Sequence, residues 1–522
     1  MIETINTDVL IIGGGGAATR AAVEAAVPGL RVDVVDKGVC GESGSSPRCL
    51  RGFAGMFDKQ DSPERFREDW LRTSGFISDR NLVWEAIIQS RIAADGLEDV
   101  GVEFVTNPDG TRVLYRGAGH TVARGLTAKT PNTAAQLRKE AERRGAIVHE
   151  GIMITKLLER QNRVVGAVGV SRNRDLFVFS AKAVILAAGG ANRLYPNVAS
   201  PIGDPRYRTT GDGFCLALDA GAPLVDMEFT QFRDSPPGAS RFGGKYFNRL
   251  SERFMERYEP QALEKAPRSK VVAAIYRELQ AGRGPIMWEV GGISEELAKH
   301  PPGSLYVNQQ WMEVNLDFQR LMGGVRINER AETAVERLFA AGESSGGLHG
   351  GDRMQGDAFL ETQVFGSNAG RNAAALTLTA QREAVDPVPV EEEQARLAAI
   401  SGSLDPLEIT RTIQKTMWEQ VGIVRDGALL SDALSKFEHI RKELVPRLAG
   451  DDLFAALEAA NLCTTAQIVA KAALFREESR GTQVRTDYPN TNDDSWLRHV
   501  CITGRAGQVR VSTVPLVTTP GG

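Results

Sequence analysis

A chain of 522 residues is long enough for two to four domains and a large core. Hydrophobic content of 42%, charged content of 25% and a net charge of -4 are ordinary globular values, and they argue against wholesale binding to nucleic acid or an anionic membrane. Cys40, Cys49, Cys215, Cys463 and Cys501 form no C-x-x-C pair, so no zinc or iron–sulfur cradle is expected. Without a signal-like N-terminus or an apolar run approaching ~18 residues, the expectation is a soluble, cytoplasmic protein with no membrane span.

Residues 7–37 read as one unit. The apolar run Asp8-Val9-Leu10-Ile11-Ile12 suits a buried parallel strand, and it ends at four glycines. Gly13 and Gly15 take the first two glycine positions of a G-x-G-x-x-G/A fingerprint, and Ala18 takes the third. A helix should follow, with Gly16 and Ala17 at its start facing a pyrophosphate. A second strand, residues 31–35, ends at Asp36, placed to accept hydrogen bonds from an adenosine ribose, with Lys37 beside it. A glycine-rich turn in an ordinary βαβ unit is the plainer reading, but strand, glycines, helix, second strand and acid fall in register.

The next stretch, GVCGESGSSPRCLRGFAGMF, should be an irregular loop near the nucleotide. No histidine precedes His120, so this loop offers no histidyl link to a flavin. Residues 61–98 read as helices, and 152–179 as a hairpin turning at Asn162-Arg163. Residues 183–190, AVILAAGG, are a second buried strand ending in glycines, with Ala188 and Gly189 at its end. Thr209 to Gly213, including Asp212, then form a turn, and residues 214–220 start a helix. Two strand–glycine–helix units can wrap both ends of one long dinucleotide, which favours FAD.

Between residues 229 and 320 the composition shifts towards Arg, Pro, Gly and Glu, and strand-and-glycine chemistry resumes at residues 322–324 and 338–343. Residues 386–394, DPVPVEEEQ, read as a linker, 406–477 as helical, 480–496 as a polar closing segment, and the tail as an edge strand.

With these residues in view, the chain resembles the succinate dehydrogenase/fumarate reductase flavoprotein family, which includes L-aspartate oxidase. The resemblance rests on IIGGGGAATRAA, VILAAGG with TTGDGFCLALDAGA, SERFMERYEP…APRSKVVAAI, FAAGE…HGGDRMQGDAFLE, QKTMWEQVGIVRDG and REESRGTQVRTDYP…WLRH, in family order. It implies an α/β, Rossmann-like FAD-binding domain (residues 1–230 and 321–385) interrupted by a capping α+β domain (231–320), then a C-terminal helical domain and tail (386–522). It implies noncovalent FAD, and hydride transfer beside a carboxylate. Fixed positive donors must then clamp the carboxylate, and a further group must move a proton.

By the same resemblance, Arg268 matches the family's proton-transfer arginine and Arg353 its carboxylate clamp, a task suited to a rigid fork of donors. His349 matches the histidine of the HGANR-type stretch, Glu343 a ligand to the ribityl chain, and Ala358 and Leu360 fall in the last cofactor stretch. The departures are specific. Arg233 stands where QFHPTG has its histidine, Gln319 where a second substrate histidine would be, and a relay acid is missing around residues 238–241. These changes imply a rebuilt substrate site that favours an extra anionic group.

The expected activity is an FAD-dependent oxidoreductase acting on a small carboxylate. An aspartate-like amino-acid oxidase, an oxygenase using O₂, a flavoprotein subunit passing electrons to an iron–sulfur or other electron-transfer subunit, and a binding module with a decayed site stay open as alternatives.

Overall fold

In a computed structural model the described residues are 2–197, 209–236, 243–293, 303–505 and 508–517. A seven-stranded sheet forms the centre. Strand Ile2–Ile12 lies between Val32–Asp36 and Leu176–Leu186, parallel to both, and Ile147–Glu150 extends the sheet beyond Val32–Asp36. The first half of Leu176–Leu186 pairs antiparallel with Arg163–Ser171, itself the partner of Ile152–Arg160, so the expected hairpin is part of the main sheet. Its second half pairs in parallel with Leu338–Ala340, which returns from far along the chain. Residues 9–12 are wholly buried, and strand formation extends back to Ile2 because residues 2–7 pair with Leu176–Ala181.

The register places Ile12, Asp36, Leu186 and Ala340 at one carboxyl edge of the sheet. Open parallel sheets bind ligands there. Helix Gly16–Ala25 starts at this edge and packs on the 21-residue helix Asp357–Thr377. Gly366 and Gly370 allow the approach, since a Cβ on either would meet backbone oxygens of Ala17 and Ala21 at 2.8 and 2.4 Å.

The capping element is a four-stranded antiparallel sheet, in the order Thr230–Ser235, Trp311–Leu321, Ile286–Val290 and Gly244–Phe247, with helix Arg268–Gln280 against it. It is therefore the α+β insertion expected. The third part contains helices Pro406–Gln420, Gly427–His439 and Leu453–Phe475. The tail adds edge strand Gln508–Val514 to His499–Arg505, as expected.

Three expectations fail. The stretch after Asp36 is not wholly irregular: it holds helix Ser46–Cys49, with proline in its first turn, and strand Gly52–Ala54, paired with Gly125–Thr127. Residues 386–394 are no linker: helix Pro387–Ala398 covers them, capped by Asp386, whose side chain accepts from Val388 N at 3.0 Å. Proline at the first helical position costs no hydrogen bond, so DPVP is a helix start here. Helix Leu453–Phe475 is long and apolar enough to cross a bilayer, contrary to the expected lack of such a run, but most of it is buried in the protein.

Candidate functional site

A cavity of about 920 Å³ starts at the carboxyl edge of the main sheet and ends beneath the capping sheet. Gly13, Gly15, Gly16, Ala17, Asp36, Lys37, Ala188, Gly189, Asp212, Glu343 and Ala358 all line it, as do Arg233, Arg268 and Arg353. Leu360 and His349 do not. The Leu360 side chain is buried in the core, while its neighbours Phe359 and Glu361 reach the cavity.

The dinucleotide end is cut to fit a close-lying chain. Gly13 has φ +114°, and a Cβ there would lie 2.3 Å from Ala187 O, so only glycine lets the ends of the two strands approach. Helix Gly16–Ala25 has glycine at its N-cap and no acid in its first turn; Gly16 N donates to Ser46 Oγ at 2.9 Å, and the positive end of the helix, with no carboxylate on it, suits an anion. Asp36 accepts from Gly38 N at 2.8 Å, and burial raises its pKa. Lys37 Nζ lies 2.8 Å from Asp212 Oδ2 and 2.7 Å from Glu458 Oε1, so helix Leu453–Phe475 helps close this end.

At the other end, bonds from three elements fix the arginines. Arg268, the first residue of helix Arg268–Gln280, donates from Nη1 to Gln319 Oε1 at 3.2 Å. Gln231 pairs with Arg320 and Phe232 with Phe318, leaving Gln319 as the extra residue of a β-bulge. A bulge re-aims side chains, and here consecutive residues Gln319 and Arg320 both line the cavity. Arg353 donates from Nη1 to Met354 O at 2.8 Å and from Nη2 to Gln231 Oε1 at 2.9 Å. Burial lowers its pKa to about 9, with Arg320 and Arg268 acting in the same direction. It stays charged at neutral pH in a region already rich in cations.

An "FAD binding domain" family model matches residues 8–358, and a "Fumarate reductase flavoprotein C-term" model matches 410–521. The fumarate reductase (CoM/CoB) of Methanothermobacter marburgensis contains a polypeptide that is 36% identical, over 96% of this chain and 97% of that one. The chain belongs to the succinate dehydrogenase/fumarate reductase flavoprotein family. An L-aspartate oxidase of Acinetobacter baylyi is 28% identical, over 93% of this chain and 94% of that one. The structure of an E. coli quinol fumarate reductase superimposes with a TM-score of 0.88 at 25% identity, covering 99% of this chain and 98% of that one. Like the family, the chain is an FAD-dependent oxidoreductase.

The residues present fit FAD. Besides the glycine cradle, two buried donors in the cavity wall, Arg320 Nη2 and Arg353 Nε, have no hydrogen-bond partner among the described residues. Such donors suit a ligand bearing oxygens. Glu343, the expected ribityl ligand, is half-buried in the wall, its Oε1 accepting from Leu321 N at 3.1 Å.

His349 sits behind the wall. Its Nε2 lies 3.1 Å from Glu361 Oε2, its ring stacks on Trp70 at 6.0 Å, and burial lowers its pKa to about 4 although Glu361 opposes this. It is neutral at pH 7 and packs beside Glu361. Glu361 also accepts from Arg320 Nη1 at 2.9 Å. Burial alone would raise the Glu361 pKa, but Arg320 and His349 outweigh it and hold it at about 2. Sequence reasoning misses Arg320, Glu361, Gln231 and Glu458 as site residues. A cation beside Gln319 in FQRLMGG was the available signal for Arg320; nothing in sequence spacing joins Glu458 to Lys37. The expected loss of a relay acid at residues 238–241 lies outside the described residues.

Proposed function

We propose that this flavoprotein acts on a small carboxylate substrate, with Arg353 as the carboxylate clamp and Arg268 as the proton donor or acceptor. FAD, when bound, supplies the two-electron chemistry, exchanging a hydride at its N5 with a carbon beside that carboxylate. The supporting observation is that both arginines, one from the capping element and one from the FAD-binding element, line the same cavity as the dinucleotide cradle.

Arg353 is held by Met354 O and Gln231, so its fork is fixed before substrate arrives, and charge developing on the carboxylate meets a preset cation. Gln319 points Arg268 into the cavity. Arginine is a weak acid in water, and proton exchange through it requires the shielded setting that the capping sheet provides. Arg233 adds a third cation, which favours a second anionic group on the substrate. The 36% identity to a fumarate reductase polypeptide supports an acid of the fumarate type. That relative is one subunit of an enzyme, which supports a separate electron-transfer subunit here. FAD is held noncovalently: the early loop has no histidine, and His120 is engaged with Gln355 O at 2.8 Å, away from the cavity wall.

The test is to reduce the bound flavin anaerobically and follow its absorbance after adding fumarate or, in a parallel sample, O₂. Rapid reoxidation by fumarate, abolished by Arg268→Ala with FAD still bound, is the expected result. Reoxidation by O₂ alone would replace this reading with an oxidase, and fumarate turnover surviving in Arg268→Ala would remove the role given to Arg268.

A further inference from the structure

We propose that Arg320 and Arg353 form a paired oxyanion site, in which Arg320 Nη2 and Arg353 Nε hold one delocalised oxyanion between them. This extends the clamp proposed above and rests on that reading for one of its two possible ligands. Arg320 is only 4% exposed and Arg353 8%, and both line the cavity. Each guanidinium is anchored at two nitrogens and unanchored at the third. Arg320 Nε donates to Leu321 O at 2.9 Å and Nη1 to Glu361 at 2.9 Å; Arg353 gives both Nη groups to Met354 O and Gln231.

The remaining donors, Arg320 Nη2 and Arg353 Nε, are buried and have no partner among the described residues. Nearby protein acceptors leave both donors unmet: the buried Asp357 carboxyl acts on the Arg353 charge but hydrogen-bonds to neither donor. Glu343 Oε1 accepts from Leu321 N, and Asp352 Oδ1 accepts from Gln231 and from Arg353 N. The charge of Arg320 is met by Glu361, but two buried guanidinium donors left without acceptors call for an oxyanion, because an unsatisfied buried donor is costly and a charge-assisted hydrogen bond is strong. The β-bulge at Gln319 contributes to the pairing, since the following residue, Arg320, is in the cavity wall.

The same donors could serve a substrate carboxylate or the pyrimidine oxygen of reduced FAD, both delocalised oxyanions. The experiment separates them. Arg320→Met alone strands Glu361, so it is paired with Arg320→Met/Glu361→Gln, which removes both members of the ion pair; FAD content is checked by absorbance. Two quantities are read on the loaded protein: the dissociation constant of malonate, a dicarboxylate that cannot be reduced at a double bond, and the two-electron midpoint potential of the flavin.

If the ligand is the substrate carboxylate, malonate binds at least tenfold more weakly and the potential is unchanged. If it is reduced FAD, reduced flavin loses at least tenfold in relative affinity, read as a fall of about 30 mV, with malonate binding unchanged. Either result supports the pair. A double variant that retains FAD, binds malonate within twofold of the parent and keeps its potential overturns it. Should the parent protein itself fail to bind malonate, the carboxylate reading fails separately, and the potential alone decides: a fall supports the pair and no change overturns it.

Discussion

Replacing Glu361 by glutamine isolates the electrostatics behind the site. Glu361 is buried between Arg320 and His349, and its carboxyl is held at about 2 against an ordinary 4.5. At roughly 1.4 kcal/mol per pKa unit, that difference corresponds to about 3 kcal/mol of folded-state stability. The folded pKa is depressed, so this contribution is complete above pH 4.5 and is lost as pH falls towards 2. Removing one partner of a buried ion pair costs about 3–5 kcal/mol, the same range. Hydrogen exchange of the amides in helix Asp357–Thr377 should therefore show about two orders of magnitude less protection in Glu361→Gln, equally at pH 7 and pH 5. Trp70 fluorescence gives a second reading, because its ring stacks on His349 and its Nε1 donates to Leu348 O at 3.0 Å. A loss of less than tenfold in protection would refute the idea that Arg320 and His349 depend on this carboxylate.

Gly13→Ala should lower FAD affinity by at least tenfold: a positive φ costs a non-glycine residue about 1–3 kcal/mol, and the added Cβ meets Ala187 backbone. Fluorescence titration of the flavin checks this, and stoichiometric FAD at wild-type affinity would contradict it. Two buried histidines should each draw stability down in acid, against Glu228, whose carboxyl burial raises to about 7 and which gains stability as pH falls. Burial lowers His120 and His349 from 6.5 to about 4, so at these two sites the unfolded chain binds more protons between those values and their contribution to stability falls as pH drops through that window. His120→Gln, able to keep a donor to Gln355 O, should remove its share of that fall, read by urea denaturation between pH 6.5 and 4.5; an unchanged slope would contradict the assignment.

The parts of this molecule built from contiguous residues were legible. Asp8 to Ile12, the glycines, Ala18 and Asp36 lie within one βαβ unit whose period and turn chemistry are written locally, and Ile12, the glycines and Asp36 meet at the cavity. Residues 386–394 misled because proline and acids mark helix starts as well as linkers. Placing His349 required three dimensions: its motif named the neighbourhood, but burial against Trp70 puts it one layer behind Glu361. Gln319 and Arg320 would point to opposite faces of a regular strand. The bulge that brings both to the cavity depends on register with Thr230–Ser235, which periodicity does not encode.

The late-returning strand sets an order of events for a newly made chain. Val184 to Leu186, already parallel to Leu10–Ile12, gain their second parallel neighbour only when residues 338–340 exist, and at ~5–20 residues per second the intervening chain takes roughly 10–30 s to synthesise. During that interval the growing protein carries an unfinished sheet edge beside the future pyrophosphate seat, an invitation to mispairing that a chaperone would shield. Glu458, which completes the charge set around Lys37, leaves the ribosome later still. A truncated chain ending before residue 458 would lack one of the two carboxylates that hold Lys37 in the cavity wall.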